Sequence, residues 1–166
     1  VTARAAGSAR PLAVFDLDGT LADARHRLHH VRRPPKDWDA FFRAAPHDPP
    51  FPEGVTLATE RAATDEIAYV TGRPERCRAD TEDWLTRHGL PPGRLLMRGA
   101  DDRRPARVTK PLLLGRLAAR RTVSLVVDDD PDVCAAYRRA GFPVLLADWG
   151  TDSPTLHDAQ EDEGRT

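Results

Sequence analysis

The 166 residues carry 40% apolar and 31% charged side chains, as a soluble globular protein does. That length suits one domain able to bury about two-thirds of its unfolded surface. A formal net charge of -1 supplies no global field toward nucleic acid or membrane, so any such attraction must come from local patches.

Val1 to Arg10 is small and polar, lacks the apolar stretch of a signal peptide, and is expected to be flexible. No apolar run approaches membrane-spanning length, so no membrane contact is expected and the cytoplasm is the expected compartment. The two cysteines, Cys77 and Cys134, fall in helical-looking stretches and read as reduced thiols rather than a disulfide framework. The basic residues are 23 Arg against two Lys, Lys36 and Lys110. Where almost every cation is Arg, a surviving Lys points to a chemical requirement.

The first element, Leu12 to Phe15, is a short apolar run that stops at Asp16 and Asp18, with Gly19 and Thr20 behind. It reads as a buried strand whose carboxyl end delivers two acids to a crevice. Ala22 to Pro35 follows, basic and without acid after Asp23. His26, His29 and His30 lack a Cys or acid to complete a zinc set, so the stretch reads as a basic rim or a solvated face. Asp37 caps a predicted short helix with Trp38, Phe41 and Phe42 on one side. Pro46 to Pro52 breaks the chain, and Gly54 to Thr64 is the next helix.

Ile67 to Val70 is a second buried strand, ending at Thr71-Gly72-Arg73. A helix from Glu75 to His88 stops at Gly89. Leu95 to Met97 is a third strand, followed by a polar loop and a helix from Lys110 to Arg121. Val123 to Val127 is a fourth strand, ending at Asp128-Asp129-Asp130. Pro131 opens another helix, and Val144 to Ala147 is the last strand. From Thr151 the chain is acidic and aperiodic and is expected to be disordered. Residues 11–150 thus form one domain. Strands alternating with helices predict a doubly wound α/β fold on a parallel sheet.

In a parallel sheet the loaded strand ends share one edge, which gathers Asp16, Asp18, Thr71, Arg73, Asp128 and Asp129. Such a set suits phosphoryl transfer. Asp16 can attack phosphorus to give an aspartyl-phosphate, and Asp18 can protonate the leaving oxygen and then activate water. A phosphomonoester dianion repels a carboxylate, so the site needs positive charge. Mg2+ on Asp16, Asp128 and Asp129 would supply it, with Thr71 and Lys110 contacting the phosphoryl group and Arg73 offering a fork for an oxyanion. Plainer readings stand beside each piece: Thr71-Gly72 as a turn, Asp128 to Asp130 as a helix cap, Arg73 as a surface cation, and Lys110 as the start of an amphipathic helix.

Asp16-Leu-Asp18-Gly-Thr, Thr71, Lys110 and Asp128-Asp129 occur in the order of the haloacid dehalogenase-like (HAD) phosphatases, which the chain resembles over residues 12 to 149. Within them it is most similar to the 3'-phosphatase domain of phage-type polynucleotide kinase/phosphatases. The matching stretches are Phe15 to Ala22, Val70-Thr-Gly-Arg73, and Asp128-Asp129 followed by Tyr137-Arg138-Arg139-Ala-Gly141. The resemblance implies a HAD-like Rossmannoid sheet, Mg2+, and removal of 3'-phosphate from DNA or RNA ends or from nucleotides. It also implies the backbone carbonyl of Asp18 as a metal ligand, and Gly72 and Arg73 as substrate contacts.

The family tends to place an acid four residues before the motif Lys, where this chain has Ala106. No glycine-rich GK[ST] loop of a kinase occurs. The intervals between motifs leave no room for a large cap, so an open site for a polymer end is expected. Arg25, Arg27, Arg32, Arg33, Arg73, Arg76, Arg98, Arg103 and Arg104 are the candidate basic rim. The alternatives are a phosphatase of a small metabolite, such as a nucleotide or sugar phosphate, or a HAD-fold binding module without catalysis. Monomer and homodimer stay open.

Overall fold

Each apolar run becomes a strand of one parallel sheet in the computed structural model, which describes residues 10–150 and 153–166. The strands are β1 (Leu12–Phe15), β2 (Glu66–Pro74), β3 (Gly93–Arg98), β4 (Val123–Asp128) and β5 (Val144–Leu146), in the order β3-β2-β1-β4-β5. The expected parallel α/β sheet is therefore present. The direction of winding reverses beside β1, and a crevice opens there at the carboxyl ends of β1 and β4. The N-terminal stretch expected to be flexible lies outside the described residues, apart from Arg10, which donates to the Asp65 carbonyl at 2.7 Å.

β1 is buried on both faces because its alternate side chains serve two cores. Ala13 and Phe15 pack with Ala58 of α2 (Pro52–Arg61) and with Trp84 and Leu85 of α3 (Arg78–Arg87). Leu12 and Val14 pack with Leu113, Leu114 and Leu117 of α4 (Ala106–Ala118), and with Val133 and Tyr137 of α5 (Pro131–Arg139). A third core lies beyond the crevice, where Phe41 and Phe42 of α1 (Trp38–Arg43) meet Leu28, Met97 and Leu156. Between β1 and β2 the chain makes only α1, α2 and two short 3-10 turns, Ala24–His30 and Ala45–His47. Among the described residues there is no large cap, as the spacing predicts. Both cysteines are buried free thiols.

Two boundaries that bear on the site differ from the expectation. β2 runs on through Thr71 to Pro74, which pairs with Arg98 after an irregularity in the ladder. That extension carries Gly72 and Arg73 into the site. α4 begins at Ala106, one turn before Lys110, because Pro105 sets the entry and Glu161 accepts a hydrogen bond from the Arg107 amide at 2.9 Å. Lys110 therefore projects from within the helix rather than from its start.

Residues 151 and 152 of the stretch expected to be disordered lie outside the described residues; from Ser153 on, it forms a helix instead. α6 (Pro154–Glu161) is capped by Ser153 and buries Leu156 and Ala159. Two apolar anchors are too few for a periodic signal in sequence, and tertiary burial stabilises this helix.

Candidate active site

β1 and β4 are in register from Ala13 opposite Leu125 to Phe15 opposite Val127, and Asp16 N donates to the Val127 carbonyl at 2.9 Å. This fixes Asp16 beside Asp128. The Lys110 ammonium bridges them, 3.0 Å from Asp16 Oδ1 and 2.9 Å from Asp128 Oδ2. All three residues are almost fully buried. Asp128 Oδ1 accepts from the Asp130 amide at 3.1 Å, so both its oxygens are occupied. Asp16 Oδ2 is buried, and it is the one oxygen of the pair without a hydrogen-bond partner.

Asp129 completes a cluster in which ligand atoms of Asp16, Asp128 and Asp129 lie within 4.8 Å of one another. Burial, offset in part by Lys110, pushes the Asp16 carboxyl up to about 7. Burial and the like charges of Asp16 and Asp128 raise Asp129 well above the ordinary range. Lys110 is held firmly charged because its two acid neighbours outweigh its burial. Fully ionised, the three carboxyls would exceed the one ammonium by two charges. The donors are all oxygen, so the residues fit a hard divalent cation.

Gly19 keeps Asp129 in place. Its φ is +91°, and a Cβ there would overlap the Asp129 carboxylate. Gly19→Ala is expected to lower the melting temperature by several degrees, from about 1–3 kcal/mol of strain, and to cut phosphate release about tenfold. Thermal melts and a phosphate assay check both; wild-type values in both would show that the approach is not needed.

Asp18 sits in a different environment. Arg73 Nε donates to Asp18 Oδ1 at 2.9 Å, and Arg27 Nη2 donates to the same oxygen at 2.6 Å. Both guanidiniums also grip Asp48: Arg27 through Nε and Nη2 at 2.8 Å each, Arg73 through Nη2 at 2.8 Å. Burial alone would raise the Asp18 carboxyl, but the two guanidiniums overcome it and hold Asp18 far below the usual carboxylate range. The four residues form a buried quartet of alternating charge.

Arg73 was expected to offer its fork to an oxyanion; here the fork is closed on Asp18 and Asp48. Arg27, Arg73 and Arg98 are buried rather than part of an exposed rim. Several remaining rim cations are already paired: Arg25 with Asp23, Arg76 with Asp39, and Arg104 with Asp102. Thr71 is buried beside the quartet, its Oγ1 accepting from the Arg73 amide at 3.2 Å. Gly72 lies against the backbone of Thr166.

Sequence reading missed Asp48 and the inward position of Arg27. Asp48 stands among prolines in what reads as a plain loop, and its carbonyl accepts from Trp84 Nε1 at 2.8 Å. Ala106, where the family tends to have an acid, is fully buried in the α4 core. Asp102 accepts from Thr109 Oγ1 at 3.1 Å, one residue before Lys110. The three histidines do not converge on a metal set: His26 contacts Asp48 at 2.7 Å, and His29 contacts the His26 carbonyl. A cavity of about 260 Å³ opens beside Gly19 and Asp129, walled by Leu28, Phe51, Leu146 and Leu156.

A parallel sheet with an acid-tipped first strand, a bridging lysine and a paired acid after the fourth strand defines the HAD-like class of phosphatases. Similar solved structures share the fold. The HAD-like family protein SP0104 from Streptococcus pneumoniae is 17% identical, with a TM-score of 0.61 and 92% of each chain covered. A class C acid phosphatase from Bacillus anthracis is 16% identical, with a TM-score of 0.61, covering 92% of this chain and 78% of that one.

Within the class, residues 11–151 match the model of the polynucleotide kinase PNKP phosphatase domain, and the chain belongs to that family. A structure of the Pnkp1/Rnl/Hen1 RNA repair complex is 23% identical, with a TM-score of 0.70, and covers 86% of this chain. This chain spans 44% of the length of that one. No curated protein sequence matches it.

Proposed function

We propose that the chain is a phosphomonoesterase that works through an aspartyl-phosphate on Asp16 and removes 3'-phosphates from polynucleotide ends or nucleotides. The observation that carries the chemistry is the asymmetry of Asp16: Lys110 holds one oxygen, and the other is buried and unpartnered. The family match supports the substrate class. A divalent cation, with Mg2+ the natural choice, would be held by Asp16, Asp128 and Asp129 together with the Asp18 carbonyl. It would offset the charge of the phosphoryl group as it transfers.

Asp16 attacks phosphorus, and the bond from phosphorus to the leaving oxygen breaks. For this step Asp18 is protonated on Oδ2 against the pull of its two guanidiniums. It gives the leaving oxygen that proton, then takes one back from the water that attacks the aspartyl-phosphate; phosphate leaves and Asp16 is restored. Lys110 orients Asp16 and opposes the effect of burial on its carboxyl. Thr71 donates its hydroxyl hydrogen to a phosphoryl oxygen. Arg27 and Arg73 clamp Asp18 through Oδ1 only, which leaves Oδ2 to exchange the proton.

The second reading, a phosphatase of a small nucleotide or sugar phosphate, is favoured by the burial and pairing of much of the expected basic rim. The test compares Mg2+-dependent phosphate release from a 3'-phosphorylated oligonucleotide, its 5'-phosphorylated twin, a 3'-nucleotide and an aryl phosphate. Preference for the 3'-phosphorylated oligonucleotide, weakening steeply with salt, supports end processing. Salt-insensitive turnover of the small substrates with the oligonucleotide untouched would replace it with the second reading.

A further inference from the structure

Residues 162–166 run on from α6 and bring Thr166 to Asp18. Thr166 Oγ1 donates to Asp18 Oδ2 at 2.8 Å, the one Asp18 oxygen that no arginine holds. Arg98 Nη2 donates to the Thr166 carbonyl at 3.3 Å. Thr166 is buried, and its backbone occupies the space that a Cβ on Gly72 would need. An alcohol donating to the ionised carboxylate of the proton donor is the arrangement left when a phosphomonoester has been cleaved and its alcohol protonated.

We propose that this segment is a self-inhibiting strap whose Thr166 hydroxyl fills the place of the leaving alcohol, so a substrate must displace it. The proposal rests on the phosphatase reading for the identity of that place. Substrate and strap cannot share Asp18 Oδ2, so they compete.

The strap is built to let go. α6 is anchored by buried Leu156 and Ala159, whereas residues 162–166 are held by contacts with little apolar burial. Lys36 pairs with Glu163, Arg165 N donates to the Ala159 carbonyl at 2.8 Å, and the Arg165 guanidinium lies 5.4 Å from the centre of the Trp38 ring. Partly exposed ion pairs of this kind contribute little. Gly164 makes the turn, with a φ of +57° and its Cα so close to the Arg103 carbonyl that a Cβ would overlap it. An alanine there must push the strap out.

The experiment compares the full chain with Gly164→Ala and with a chain ending at Glu161, which keeps α6 and its pair with Arg107. The readouts are steady-state kinetics on the best substrate and hydrogen exchange with and without inorganic phosphate. Both variants should lower KM about tenfold with kcat unchanged, the result of removing a competing closed state. In the full chain, inorganic phosphate should deprotect the amides of Glu163 and Arg165, which donate to the Asp158 and Ala159 carbonyls.

Unchanged KM in folded variants overturns the proposal. So does a raised KM, which would make the segment part of substrate binding. Amides that stay protected with phosphate bound also overturn it, a readout that remains if a variant fails to fold. If no phosphoester is hydrolysed by any form, the phosphatase reading fails, and the exchange result still decides whether the strap yields to phosphate.

Discussion

Asp16→Asn is expected to reduce phosphate release by about four orders of magnitude or more, since an amide cannot act as the carboxylate nucleophile. The same change should not unfold the protein. Asp16 contributes one of three clustered carboxylates, and burial with their mutual repulsion holds Asp16 and Asp129 above the ordinary range. Removing one charge relieves repulsion while Lys110 keeps its partner Asp128 at 2.9 Å. A metal-free melting temperature at or above that of the wild type, together with lost activity, is the expected pair of results. Full activity in Asp16→Asn would remove the aspartyl-phosphate mechanism altogether.

The second large effect concerns stability. Arg27 is buried, neutralises Asp18 and Asp48 at once, and lies 4.2 Å above the Phe41 ring. Arg27→Met preserves much of the volume but leaves two buried carboxylates with Arg73 as their shared guanidinium partner. Breaking a buried pair on one side costs about 3–5 kcal/mol, which in a chain of this size lowers the melting temperature by roughly 10 °C. Adding Asp48→Asn should recover part of that loss, because the second change removes the stranded charge. If Arg27→Met melts with the wild type, the quartet is not a stabilising unit. If Asp48→Asn worsens the double variant by its full separate cost, the two residues are not coupled.

Sequence exposed what short-range pattern encodes. Asp16 and Asp18 were legible because an apolar run ends on them, Asp128 for the same reason, and Lys110 because lysine is so scarce. Their convergence followed from parallel strands sharing one edge. Asp48 was not legible because its partners lie 21 and 25 residues away, and no local pattern marks a loop acid for burial. Arg27 was hidden by its neighbours: in a run of arginines and histidines, nothing local marks which cation turns inward. The strap was the largest surprise. The anchors of the helix before it, Leu156 and Ala159, stand in acidic sequence, and the strap's own contact with Asp18 lies far upstream.

The two lysines turn out to live in opposite worlds. Lys110 is enclosed by carboxylates, while Lys36 sits at the surface against Glu163 of the strap. An amine-reactive dye would therefore find one accessible side chain, with any terminal amine blocked beforehand. The dye would stand beside Glu163 of the strap without a cysteine having to be engineered. The near-absence of lysine, read first as a mark of chemical need at one position, leaves the other as a natural reporter of strap opening.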